Sequence, residues 1–265
     1  MIGFNHLGRQ GRLGNQMFQY AATKGIAANR GYEFIVANHS ESQDDGIGNM
    51  VRTEIFDSFN IECKKGILQT NYITEQHFHF DEHLFDNCPD NVSLYGYYQT
   101  EKYFKHIEDE IRKDFTFKDE ILEPCTEMIG DECYVAIHIR RTDYITNSDG
   151  KAHNSLTPIY YDTAIRSFDQ DTKFIVFSDE PEWCKKQEMF SGSNFMISEN
   201  TDNRMDLCLM TLCKGHIIAN SSFSWWGAWL ANSTKVIAPR VWFGPKLDHN
   251  NTKDLYCSDW IILNG

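Results

Sequence analysis

Positive charge is what this 265-residue sequence has least of: 25 Lys and Arg stand against 38 Asp and Glu, a formal net charge of -13 at pH 7. A nucleic-acid backbone or an anionic lipid surface demands net positive faces, so neither is expected as the main partner. Any polyanion must be met by a local basic pocket. The eight cysteines (Cys63, Cys88, Cys125, Cys133, Cys184, Cys208, Cys213 and Cys257) contain no CxxC pair, and no ligand-spaced His cluster accompanies them. Free thiols in a reducing compartment are the simplest account. No apolar run approaches the roughly 20 residues of a membrane span, and no charged segment followed by an apolar one opens the chain. A cytoplasmic protein is therefore expected. Repeats and low-complexity tracts are also missing.

What is present is alternation of apolar runs with helix-length segments. The first 40 residues predict a strand near Ile2 to Leu7, a turn rich in glycine and arginine, a helix from about Asn15 to Asn29, and a strand Tyr32 to Val36. Asn5 and His6 make the first strand polar, which predicts an edge or frayed position. Ser40 to Asn49 reads as a polar, acidic loop. A strand Val92 to Tyr98 leads into an amphipathic helix from about Thr100 to Lys113, and Glu120 to Gly130 reads as helix and linker. Strands follow at Tyr134 to Ile139, Lys173 to Phe177, Phe195 to Ile197, His216 to Ala219 and Lys235 to Ala238. Helices near Pro158 to Phe168, after Pro181, and at Arg204 to Cys213 and Ser224 to Ala231 separate them. Such alternation builds a parallel sheet with helices on both faces.

In parallel sheets ligands sit beyond the carboxyl ends of the strands. Three groups fall there. His138-Ile139-Arg140-Arg141-Thr142-Asp143 follows the first strong strand, and two guanidiniums at that place want an anion, either the chain's own Asp143 or a ligand. The strand period of two puts His138 and Arg140 on one face and Arg141 on the other. Asp179 ends the next strand, where a carboxylate accepts from two donors on one edge, or serves as a turn residue before Pro181. Asn220 is followed by Ser221, Ser222, Phe223 and Ser224, a hydroxyl-rich turn opening a helix; a helix N-terminus holds anions, and a capping serine needs no ligand at all. Together the three suggest a nucleotide diphosphate. Gly11-Arg12-Leu13-Gly14-Asn15-Gln16 supplies a close-approach turn with Asn15 as a helix cap, but it is neither GxGxxG nor a P-loop.

These residues resemble a known family. Gly11 to Ala21 (GRLGNQMFQYA), Gly96 to Phe104 (GYYQTEKYF), His138 to Asp143 and Ile217 to Leu230 (IIANSSFSWWGAWL) are similar, in order and over nearly the whole chain, to the α-1,2-fucosyltransferases of the bacterial or viral type. Related α-1,6- and protein O-fucosyltransferases share the arginine motif and parts of the glycine turn, but not the tryptophan run. The resemblance implies a GT-B-type α/β fold of two facing Rossmann-like domains with parallel sheets, the N-terminal one reduced at this length: residues 1–128 on the acceptor side and 129–265 binding the donor. It implies inverting transfer of L-fucose from GDP-β-L-fucose to the 2-hydroxyl of a galactose-type glycan, with no cofactor and no metal. By the same analogy Arg140 and Arg141 meet the pyrophosphate and Asp179 the guanine. Ser222, Phe223 and Ser224, with Ser221 beside them, meet phosphate and base, and Arg12, Asn15 and Gln16 face the cleft.

His138 and Asp143 are the candidate bases. His138 has a suitable intrinsic pKa, yet a strand histidine is also an ordinary core group. A lipid-linked acceptor would place the enzyme at the inner face of a membrane by peripheral association. Rival readings are a GDP-sugar hydrolase and an inactive sugar-binding module in which Trp225, Trp226, Trp229 and Trp242 stack on carbohydrate, although three of these lie on one short helix after an apolar strand, where core packing is the commoner fate.

Overall fold

The buried apolar strands of this chain gather into separate sheets in two units, Met1–Lys118 with Asn250–Cys257, and Asp119–His249 with Ser258–Gly265. The structure, a computed structural model, describes residues 1–44, 50–146 and 152–264, with the side chains of Asp143 and Thr146 outside that description. The architecture is α/β of the GT-B type expected.

In the first unit, strands β1 (Ile2–Phe4), β2 (Phe34–Val36), β5 (Asn71–Thr74) and β6 (Val92–Tyr95) form a parallel sheet in the order β2-β1-β6-β5. β3 (Gln43–Asp44), inside the Ser40 to Asn49 segment expected as loop, pairs antiparallel with β4 (Met50–Val51) just after it; residues 45–49 lie outside the described residues. Helix α1 (Leu13–Arg30) crosses behind the sheet and ends at Gly31, whose φ of 67° only glycine adopts without strain. Short helices α2 (Ile55–Ser58), α3 (Glu82–Asn87) and α4 (Glu108–Asp114) complete it.

Three expectations change here. β1 is internal rather than an edge, because Ile2 and Phe4 are fully buried and Asn5, just beyond the strand, spends its polarity on its neighbours. Its side chain donates to Leu68 O at 2.8 Å and accepts from Leu68 N at 2.8 Å. The helix expected over Thr100 to Lys113 is two 3₁₀ turns, Glu101–Tyr103 and Lys105–Ile107, before α4. Tyr103 and Phe104 are drawn into the core against Gly25, where a Cβ would stand 2.0 Å from Tyr103 O. The boundary between units also falls at Lys118 rather than residue 128. Helix α5 (Asp119–Ile129) buries Ile121, Cys125 and Ile129 in the second unit, and Cys125 Sγ meets Met205 O. The segment Asn250–Cys257 returns to the first unit, where Asp254 holds Lys102 Nζ at 2.6 Å and Phe80 N at 3.1 Å.

The second unit has, among the described residues, strands β7 (Tyr134–Ile139), β8 (Lys173–Ser178), β9 (Phe195–Ile197), β10 (Gly215–Ile217), β11 (Lys235–Pro239) and β12 (Ile261–Leu263). All pair parallel in the order β12-β11-β10-β7-β8-β9. Near-continuous apolar strands such as Val-Ala-Ile and Phe-Ile-Val-Phe fit a sheet covered on both faces. The helices are α6 (Thr142–Thr146), α7 (Pro158–Ile165), α8 (Pro181–Cys184), α9 (Asn203–Leu212) and α10 (Ser222–Ala231). Trp225 and Trp226 on α10 are fully buried and meet edge to face at 5.0 Å; Trp229 and Trp242 are buried too. These tryptophans are core, which removes the basis for a sugar-stacking module built on them. All eight cysteines are free thiols. No described helix is long and apolar enough to cross a membrane.

Candidate active site

The central pair β7 and β8 end side by side, Ile139 level with Ser178, and the residues just beyond meet at once. Arg140 Nη1 lies 3.2 Å from Asp179 Oδ2. The same carboxylate accepts from the backbone N-H of Arg141 and of Thr142, each at 3.0 Å. Asp179 is thus engaged inside the chain, pinning the turn that follows β7 and orienting the first arginine. Its oxygens face these donors, the turn role that the sequence leaves open beside the guanine contact implied by the resemblance.

Arg141 takes different partners. Its Nε donates to Glu180 Oε2 at 2.9 Å, and its guanidinium lies 3.8 Å over the Trp183 ring. The partner is therefore Glu180, while the Asp143 side chain falls outside the described residues. An arginine gripped from the edge by a carboxylate and from its face by an indole is a wall group rather than a mobile one.

His138, inside β7, is buried, and its ring lies 5.6 Å from that of Phe223 on α10. Burial, and then the Arg140 guanidinium, hold its imidazole well below the usual histidine range, so it is neutral near pH 7. Its Nδ1 is buried without a hydrogen-bond partner among the described residues. The serine turn sits where the sheet order brings it, since β10 is the other neighbour of β7. Ser221 caps α10 by accepting from Phe223 N at 3.3 Å, and Ser224 Oγ donates back to Ser221 O at 3.4 Å. The first-turn N-H groups of such a helix lack intrahelical acceptors and carry its positive end, a place suited to an anion.

In the first unit, the glycine turn is built differently from the sequence expectation. The residue before α1 is Arg12, which is exposed, and no side chain caps the helix there. Asn15, in the first turn, accepts from Gln99 Nε2 at 2.8 Å, and Gly11 (φ 84°) leaves the room that a Cβ would take from it. Gln16 is fully buried. It donates to Arg52 O at 2.8 Å and Gly11 O at 3.2 Å and accepts from Glu54 N at 2.8 Å, so it clamps two loops.

The model of glycosyl transferase family 11 matches residues 1–264. An alpha-1,2-colitosyltransferase of Escherichia coli is 35% identical over 96% of this chain and 96% of its own length. The chain belongs to glycosyl transferase family 11. Human galactoside alpha-(1,2)-fucosyltransferase 1 is 23% identical over 85% of this chain and 65% of the relative. Among solved structures, NodZ alpha-1,6-fucosyltransferase soaked with GDP-fucose superposes with a TM-score of 0.58 at 10% identity, covering 91% of this chain and 94% of that one, a likeness of fold.

For this family 11 glycosyltransferase, several residues around the arginine turn escaped the sequence reading. Tyr144 on α6 donates to Asn220 O at 2.8 Å, stacks on His153 at 4.9 Å, and has Arg140 over its ring at 5.9 Å. Asn220 reaches Asn154 O and Trp242 O, each at 3.0 Å. Tyr144 follows the arginine motif directly, and that adjacency was the available signal. The other partners are remote in sequence. A cavity of about 430 Å³ opens at the opposite, amino end of the sheet, lined by Glu132, Lys173, Lys214 and Lys235 among others. There Lys173 pairs with Glu132, and Lys235 with Phe168 and Ser167 O, so these two lysines are engaged within the chain.

Proposed function

We propose that this glycosyltransferase moves L-fucose from GDP-β-L-fucose to the 2-hydroxyl of a galactose-type acceptor, with inversion and without a metal ion. The observation that carries this reading is the Arg140 guanidinium, held by Asp179 at the end of β7, one strand away from the capped N-terminus of α10. The α-1,2 transfers for which both relatives are named support the linkage, and the human relative's galactoside supports the acceptor.

Cleavage of the bond from sugar C1 to phosphate leaves negative charge on GDP and positive charge on the sugar. Arg140 and the α10 N-terminus would meet the first, as preorganised donors aimed at developing charge. The neutral His138 keeps a second cation away from the sugar. Arg141 would shape the wall beside them, and Ser222, Phe223 and Ser224 would contact phosphate and base.

A second reading changes only the donor. The E. coli relative is named for colitose, fucose without its 3-hydroxyl, so a GDP-colitose donor fits the same anion site. Incubation with GDP-fucose or GDP-colitose, with and without lactose, and with EDTA in parallel, decides among these. GDP release only with acceptor marks a transferase, and the faster donor names the sugar. Release without acceptor marks a hydrolase, and binding without release a sensor. Loss of transfer in EDTA overturns metal independence, and linkage analysis of the product tests the 2-hydroxyl.

A further inference from the structure

The first sheet has one face against α1 and another that is open at its carboxyl end. Successive residues of a strand point to opposite faces, so the register Gly3 with Ser93 with Tyr72, and Thr74 with Tyr95, puts these residues on a common side. Leu68 covers that side near Gly3, where it would stand 3.2 Å from an added Cβ. Beyond it the cover stops. Tyr72 is 49% exposed and Tyr95 is 37% exposed, both unusual for large aromatics in a parallel sheet.

His6, just past β1, completes a cluster with them. Its ring lies 5.3 Å from Tyr72 and 5.0 Å from Tyr95, and the two tyrosines are 6.4 Å apart, each pair edge to face. This arrangement fixes the rings and leaves aromatic surface exposed. Polar groups border it: Asn5 Nδ2 donates to Tyr72 Oη at 3.3 Å, and His6 Nδ1 is buried with no hydrogen-bond partner among the described residues. Glu75 stands at the end of β5, its carboxylate fixed by Tyr97 N at 2.7 Å and Tyr98 N at 2.9 Å.

We propose that His6, Tyr72 and Tyr95 form the platform on which the acceptor saccharide lays its apolar C-H face, with Glu75 at its margin. A pyranose is apolar on its faces and polar at its rim, as this surface is aromatic in the middle and hydrogen-bonding at its edge. Galactose suits it because its axial 4-hydroxyl leaves one face with a continuous C-H patch. The inference rests on the transferase reading above and makes these residues determinants of acceptor choice.

The test separates the two ideas. Methyl β-galactoside is titrated by ligand-observed NMR, and lactose KM is measured, for wild type and for Tyr72→Ala, Tyr95→Ala and Tyr95→Phe; GDP is titrated in parallel. The alanine variants are expected to weaken galactoside binding and raise lactose KM about tenfold. Tyr95→Phe should stay near wild type, and GDP affinity should be unchanged in all. Both tyrosines are partly exposed, so thermal unfolding confirms that the variants fold. Galactoside binding equal in wild type and alanine variants, or absent from wild type, overturns the platform. Failure of wild type to bind GDP overturns the donor reading instead.

Discussion

Arg140 is oriented by Asp179, a residue 39 positions later in the chain, and the same carboxylate gathers the backbone N-H groups of Arg141 and Thr142. One acidic side chain therefore sets both the direction of the guanidinium and the shape of the turn that carries it. Arg140→Ala is expected to lower kcat by about 10²–10³, the effect of removing one donor to developing charge, with thermal stability nearly unchanged. Asp179→Asn should lose activity to a similar extent, because the turn loses its charged acceptor while Arg140 remains present. Near wild-type turnover in Arg140→Ala would sink the assignment.

Arg141 should behave differently. Replacing it with lysine removes the planar contact with Trp183 and the Nε bond to Glu180, which is expected to reduce stability by about 1 kcal/mol. Urea unfolding checks this. A kcat loss as large as that of Arg140→Ala, without destabilisation, would assign Arg141 a direct role at the phosphates.

Gln16 joins the glycine turn to Arg52 and Glu54 from a fully buried position. Gln16→Ala leaves those backbone groups without their partner and is expected to cost about 1–3 kcal/mol in unfolding free energy. A loss of activity at unchanged stability would instead place Gln16 at a ligand.

Trp225, fully buried against Trp226, Trp229 and Trp260, predicts a larger effect. Trp225→Ala should destabilise by about 3–5 kcal/mol. Chemical denaturation read by near-UV circular dichroism measures it.

Glu75 supplies a pH signature. Burial raises its carboxyl to about 7, against the opposing help of the Tyr97 and Tyr98 N-H groups. The folded state then binds the proton more tightly than the unfolded chain, so stability is fully present below the unfolded value near 4.5 and falls as pH rises to about 7. Relative to Glu75→Gln, wild type should lose unfolding free energy across that window. A difference independent of pH would contradict it.

The strand and helix alternation of the second unit was legible because each element declares itself locally, by an apolar run, a capping serine or a proline at a helix start. The 3₁₀ turns at Glu101–Tyr103 and Lys105–Ile107 were not, since Tyr103 and Phe104 follow helical spacing yet are drawn into the core at Gly25. The strands β5 and β12 also escaped, lacking a distinct alternation of their own.

The sequence by itself determined that the larger sheet of the second unit is parallel and that the serine turn opens a helix, because periodicity and capping act within a few residues. Only the tertiary structure decided that Glu180 takes Arg141, that Asp179 braces Arg140, that β1 is internal and that the tryptophans are core. Those outcomes depend on which strands lie side by side, and neighbours in a parallel sheet are joined by crossovers that bring together residues tens of positions apart.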